Sequence, residues 1–208
     1  MSSTVEIAPP RTRLATLPID QHRGLHGMWA TIATEATLFV CMFGAYYYLG
    51  ANKNRWEIDN PPKLVYPLIL LAILLSSSIV LRWGELRVKE ERFGAAKIAL
   101  IITILLGMAF LTLQGFEYHS HWKDLAPYSD SYGSIFYSIT SLHAAHVIVG
   151  LMMLIYVAIL PRWGITRRSP HQPYATVAVY WHFVDAVWVF IVLLLYVIPN
   201  IQRLLHVH

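Results

Sequence analysis

The sequence predicts an all-α fold, a polytopic membrane helical bundle with five transmembrane helices, and three observations carry that prediction. Of 208 residues, 56% are hydrophobic and only 13% are charged, against about a quarter charged in ordinary soluble domains. The apolar residues gather into five stretches long enough to cross a hydrocarbon core, which takes about 20 residues at roughly 1.5 Å rise each. The basic residues are unevenly shared between the segments that join those stretches, as membrane insertion requires.

The spans are placed at 27–49, 65–81, 95–113, 134–160 and 174–198. Residues 1–23 are polar and proline-bearing and have no apolar core of the kind a signal peptide needs. They read as an unstructured N-terminal tail ahead of a single domain, 24–208, with short connections and no internal repeat.

The first span carries Glu35, about nine residues in and hence roughly 13 Å from the start of the span. A carboxylate at that depth must find a partner or stay protonated, because a dry medium disfavours the charged form. A neutral Glu bonded to a neighbouring helix is one reading; a proton-linked site, or a group that orders a bound lipid, is the other. The same span holds the single cysteine, Cys41, which has no intrachain partner, so no redox compartment follows from it. The second span ends on Ser76, Ser77 and Ser78, small hydroxyls that allow close helix packing and bond back to their own helix. After the third span, Gln114-Gly115-Phe116-Glu117-Tyr118-His119 reads as a loop at the outer face. Its Glu117, like Asp124 beyond it, is expected to be an interfacial anchor on a docking surface.

The fourth span carries His143 and His146 among Ser141, Ala144, Ala145 and Gly150. Three-residue spacing puts both imidazoles on one helix face, and the small neighbours admit another backbone. Such a pair suits either a metal or haem site, with His182 and Asp185 as the remaining ligands, or hydrogen bonding between the fourth and fifth spans. The fifth span carries the run Tyr180-Trp181-His182-Phe183-Val184-Asp185-Ala186-Val187-Trp188. His182 and Asp185 share a face, and Trp181, Asp185, Trp188 and Val192 form an overlapping stripe suited to packing around a polar network.

Five spans put the N-terminal tail and the second and fourth loops on one side, with eleven basic residues: Arg11, Arg13, Arg23, Arg82, Arg87, Lys89, Arg92, Lys97, Arg162, Arg167 and Arg168. The other side has five: Lys53, Arg55, Lys63, Lys123 and Arg203. The N-terminus is therefore expected in the cytoplasm and the C-terminus outside. The net charge of +4 belongs to loops facing anionic lipid, so no nucleic-acid partner is implied. No Gly-rich phosphate loop, nucleophile elbow or Cys-based metal motif occurs.

Taken together, these stretches resemble subunit III of the haem-copper oxidases. Tyr180 to Trp188 is similar to the family's YWHFVDVVW signature, and Trp29 to Phe39, with Glu35, resembles its W-x(n)-SE-x(3)-F helix. Leu75-Ser76-Ser77-Ser78 matches its LLSSS stretch, Gln114 to Tyr118 its LQ-x-x-EY element, and Tyr132 to Gly150 its YGS-x-FF…TG-x-HG-x-HV-x-x-G helix, with Ser141 and Ala144 in place of two glycines. Five spans resemble the short bacterial form, which implies a bacterial inner (plasma) membrane and, from Glu35, the cytochrome c oxidase branch; quinol oxidase and nitric oxide reductase versions stay open. The resemblance implies a non-catalytic subunit that binds no haem or copper itself. These belong to partner subunits: subunit I, against which it packs, with subunit II in the same complex. It also implies structural phospholipid in a cleft between helix groups and support of proton uptake and of subunit I's stability. By the same resemblance Glu35 is the family's buried carboxylate, and Arg162 falls near an arginine that meets a lipid phosphate, a task suited to a guanidinium. The paired histidines are His143 and His146, and the C-terminal pair is His182 and Asp185. An independent haem- or metal-binding membrane protein using His143, His146 and His182 is the reading of a different class.

Overall fold

In lipid the backbone has no water to bond, so a long apolar segment is driven to satisfy its N–H and C=O groups within itself, as a helix. The computed structural model describes residues 23–52, 64–121, 131–159 and 171–201, and apart from the turn between two helices and one flanking residue all of these are helical. The helices are α1 (Arg23–Asn52), α2 (Val65–Lys89), α3 (Phe93–His121), α4 (Ser131–Ile159) and α5 (His171–Ile191), the last running on through a π-helical stretch, Val192–Val197. Each of the five is long and apolar enough to cross a membrane. Pro67 and Pro173 lie in first turns, where the missing N–H costs nothing.

The helices outrun the predicted apolar stretches because their polar ends stay helical. In α2 the extension beyond residue 81 is supported by ion pairs one turn apart: Arg82 with Glu85, Lys89 with Glu85 at 3.2 Å, and Arg87 with Glu90 at 2.6 Å. Arg87 also lies over the Trp83 ring, 5.1 Å from its centroid. The turn into α3 closes as a Schellman motif: Glu91 N–H donates to the Val88 carbonyl at 3.1 Å and Arg92 N–H to that of Arg87 at 2.9 Å. Glu91 stands at φ 59°, the left-handed position that glycine usually fills.

Packing is set by α4 and α5. α5 packs against α1, α2 and α4, while α4 packs against α1, α3 and α5; α2 and α3 form a hairpin that closes the other side. Lipid is as apolar as leucine, so helices associate through close fit and not through a drive to leave water. Trp181 shows how close that fit is. A Cβ on Gly107 of α3 would come within 2.8 Å of its ring, and one on Gly150 of α4 within 2.9 Å. Its indole N–H donates to Ser77 Oγ of α2 at 2.9 Å, so one side chain joins four helices. At the far end of α5, Pro199 brings no N–H to the Leu195 carbonyl four residues back. Tyr132 of α4 donates its hydroxyl to that carbonyl instead, at 3.1 Å. The outward faces, with Val40, Tyr48, Ile79, Phe116, Tyr156 and Ile159 among the most exposed, are the surface that a bilayer solvates.

Candidate functional site

The ionisable residues singled out in the spans, His143 apart, fall into two separate networks. In the first, Glu35 of α1 meets His146 of α4: Oε2 lies 2.9 Å from Nε2. The ring's other nitrogen, Nδ1, is 2.8 Å from the Leu142 carbonyl one turn back. A carbonyl only accepts, so Nδ1 carries a proton and donates. The bond to Glu35 therefore holds one further proton, either on Nε2 facing a carboxylate or on the carboxyl facing a bare Nε2. The His146 ring also packs against Phe39, with centroids 5.0 Å apart. The Glu35 side chain keeps 33% exposure and that of His146 12%, so the pair opens towards the surroundings on the α1 side.

The second network joins α5 to α2. Ser78 Oγ lies 2.8 Å from His182 Nδ1 and donates to Asp185 Oδ2. His182 and Asp185, which share a face of α5, are thus bridged by a serine of the facing helix. Asp185 is 4% exposed, and its Oδ1 is enclosed without a hydrogen-bond partner. Of the three serines, Ser76 and Ser77 bond back to Ile73 and Leu74 at 2.8 and 2.7 Å, as small hydroxyls in helices do. Ser77 also accepts from Trp181 of α5, but Ser78 alone bonds to the ionisable residues of α5, and reading the three as one packing patch missed that.

His143 joins neither network. It is 1% exposed and stacks on Trp188 of α5 with centroids 5.0 Å apart and planes at 26°, while Phe110 of α3 meets it edge-on at 5.9 Å. Neither ring nitrogen has a hydrogen-bond partner. Its link to the fifth span is therefore aromatic packing, where a hydrogen bond was expected. The His146 ring turns to α1, while its backbone carbonyl accepts from the Tyr180 hydroxyl of α5 at 3.5 Å. Among the described residues no three His, Cys, Asp or Glu side chains converge as a metal site; His143, His146 and His182 each have different surroundings. The stripe Trp181, Asp185, Trp188 and Val192 is buried throughout, as its spacing predicted.

One expectation is corrected. Gln114 to His119 is not a loop but the last turns of α3, and Gln114 and Glu117 are 3% and 2% exposed. They are no docking surface: Tyr196 of the π-helical stretch donates to Glu117 Oε1 at 3.4 Å, and Tyr118 packs on Tyr137 of α4 with centroids 5.3 Å apart. The signal was present in the three-residue spacing of Gln114 and Glu117 and in the absence of proline before His121, which together continue a helix face. Arg162, Asp124 and the tail 1–22 lie outside the described residues.

Comparison with known proteins sets this geometry in a family. A family model for cytochrome c oxidase subunit III matches residues 20–199. The cytochrome c oxidase subunit 3 of the bacterium Alkalihalophilus pseudofirmus is 33% identical over 174 residues, covering 82% of this chain and 84% of the relative. Those of Rhipicephalus sanguineus and Struthio camelus are 32% and 33% identical over 179 and 180 residues, each covering 82% of this chain and 68% of the relative.

Proposed function

The chain belongs to the cytochrome c oxidase subunit III family and is a subunit III of a haem-copper oxidase, and from that premise we propose how it serves the complex. It is a non-catalytic subunit that packs on the catalytic subunit I, with subunit II in the same assembly. It holds structural phospholipid, and it supports proton uptake into subunit I and the durability of that subunit. Its domain is 24–208, inserted in a bacterial plasma membrane with the 1–23 tail in the cytoplasm and the C-terminus outside.

The observation that favours this reading is the bond between Glu35 and His146. An interhelical pair that must hold one proton, half-open at the α1 side, suits a proton-linked or lipid-ordering role better than it suits packing, which an apolar pair of the same size would serve at lower desolvation cost. α1 and α2 both pack on α5 and make little contact with each other, which supports a groove that an acyl chain can occupy. Arg162 then meets the lipid phosphate at headgroup level. His182 and Asp185 fix α5 to α2, and His143 fixes α4 to α5.

The test is affinity purification of this chain from its native membrane in mild detergent, with an optical spectrum and identification of what accompanies it. The expected result is a complex whose haem absorbance travels with a separate, larger subunit. A lone chain, or one that carries its own haem absorbance after separation, would overturn the proposal.

A further inference from the structure

The hydrogen bonds around Ser78 have a direction. A serine hydroxyl has a single proton, and here it is directed to Asp185 Oδ2. The 2.8 Å contact with His182 is then made with His182 Nδ1–H as donor and Ser78 Oγ as acceptor. The chain therefore runs His182 Nδ1–H to Ser78 Oγ–H to Asp185 Oδ2, every donor pointing inward. His182 is half-buried, so its ring is not sealed from its surroundings. Asp185 Oδ1 is enclosed and has no further partner, so the chain has one open end and one closed end.

A polar stripe runs along α2 from Ser78 towards the hairpin. Ser78, Arg82, Glu85 and Lys89 follow at spacings of four, three and four along one face of α2. Arg82 and Lys89 both pair with Glu85. Glu85 lies seven residues from Ser78, roughly 10 Å along the helix, towards the charged hairpin. On the α4 side the neighbouring turn of α5 is covered by the stacked His143 and Trp188 rings.

We propose that His182, Ser78 and Asp185 form a proton wire that ends at a buried carboxylate, a proton store filled from the α2–α3 hairpin side of the membrane. A hydronium ion gives its proton to His182 Nε2. The Nδ1 proton then passes to Ser78 Oγ as the serine's own proton passes to Asp185 Oδ2. Water is left where the hydronium was, His182 is neutral with its proton on Nε2, Ser78 again has one proton, and Asp185 is the acid. All donors now point outward, so the proton leaves by the same route in reverse. With no acceptor beyond Asp185 among the described residues, the wire buffers protons and does not conduct them across the membrane. The proposal rests on the reading of the chain as a subunit that supports proton uptake, for which such a store is a local reserve.

The purified oxidase complex tests it. The carboxylic C=O stretch of Asp185 is assigned in acid-minus-alkaline infrared difference spectra by its loss in Asp185→Asn or, where that variant does not assemble, by its displacement in Asp185→Glu. The readout is the rate at which that band takes up deuterium after transfer to heavy water. Ser78→Ala removes one link and should slow exchange roughly tenfold or more, one lost hydrogen bond being worth about 1.4 kcal/mol of barrier. Ser78→Thr restores the hydroxyl and should restore the rate. Wild-type exchange in Ser78→Ala, or no Asp185 band at any pH, overturns the wire. Turnover of the same variants reads the uptake role separately. Slowed exchange with unchanged turnover upholds the wire and removes its service to uptake; shortened turnover with wild-type exchange does the reverse.

Discussion

At the scale of single residues, the cost of placing an ionisable group in lipid calls for a partner, and His143 alone of those singled out has stacked rings in place of a hydrogen bond. Glu35 has His146, His182 and Asp185 have Ser78, and Glu117 has Tyr196. The Glu35 pair separates two properties that one substitution alone would confuse. Glutamine can still donate to Nε2 of a His146 whose Nδ1–H is held by Leu142, so Glu35→Gln keeps the helix contact but cannot exchange a proton. Alanine loses both. Glu35→Ala should therefore lower the stability of the complex by about 0.5–2 kcal/mol, the worth of an interhelical hydrogen bond, whereas Glu35→Gln should leave thermal stability near wild type. Both should shorten the number of turnovers completed before inactivation, with haem spectra unchanged. A Gln variant with wild-type lifetime would show that the proton in this bond serves no function.

At the scale of helices, small residues decide which faces can meet. A Cβ on Gly84 of α2 would lie 2.0 Å from Tyr174 Oη and 2.6 Å from the Cβ of Ala99, and that hydroxyl is tied to the Leu81 carbonyl at 3.1 Å. Neither neighbour can yield without moving α3 or α5. Gly84→Ala should cost about 1–3 kcal/mol through overpacking, read as a lower thermal midpoint of the purified complex. Gly94, near the start of α3, has nothing within 4 Å of the same position. Gly94→Ala should be neutral, or slightly stabilising because alanine favours the helix. Equal midpoints for the two variants would refute the three-helix contact. The sequence marked Gly150 as a place of close approach; that the approaching group is Trp181, which also covers Gly107, depends on how α5 is rotated against α3 and α4.

At the scale of the whole molecule, the charge distribution makes a prediction about topology. Arg82, Arg87, Lys89 and Arg92 cluster at the α2–α3 hairpin, and the positive-inside rule places that hairpin in the cytoplasm. Five crossings then put the C-terminus outside. Alkaline phosphatase, active only when exported, should be active when fused after the fifth helix and inactive when fused within the hairpin. The opposite pattern would invert the molecule and move the open end of the proton wire to the other side of the membrane.

The sequence by itself determined the number of helices, their class and the family, because each follows from runs of local composition and from ordered motifs that need no knowledge of neighbours. It also identified Glu35, His143, His146, His182 and Asp185 as the residues that require an explanation, since burial cost is legible from position in a span. Only the tertiary structure decided their partners. Helix periodicity fixes which residues share a face, but the rotation and pairing of helices fix what that face meets, and in lipid this rests on fit between distant segments. So His146 meets α1, Ser78 links His182 to Asp185, and Gln114 and Glu117, placed by the sequence at the interface, are enclosed because α3 continues as a helix beneath α4 and the π-helical end of α5.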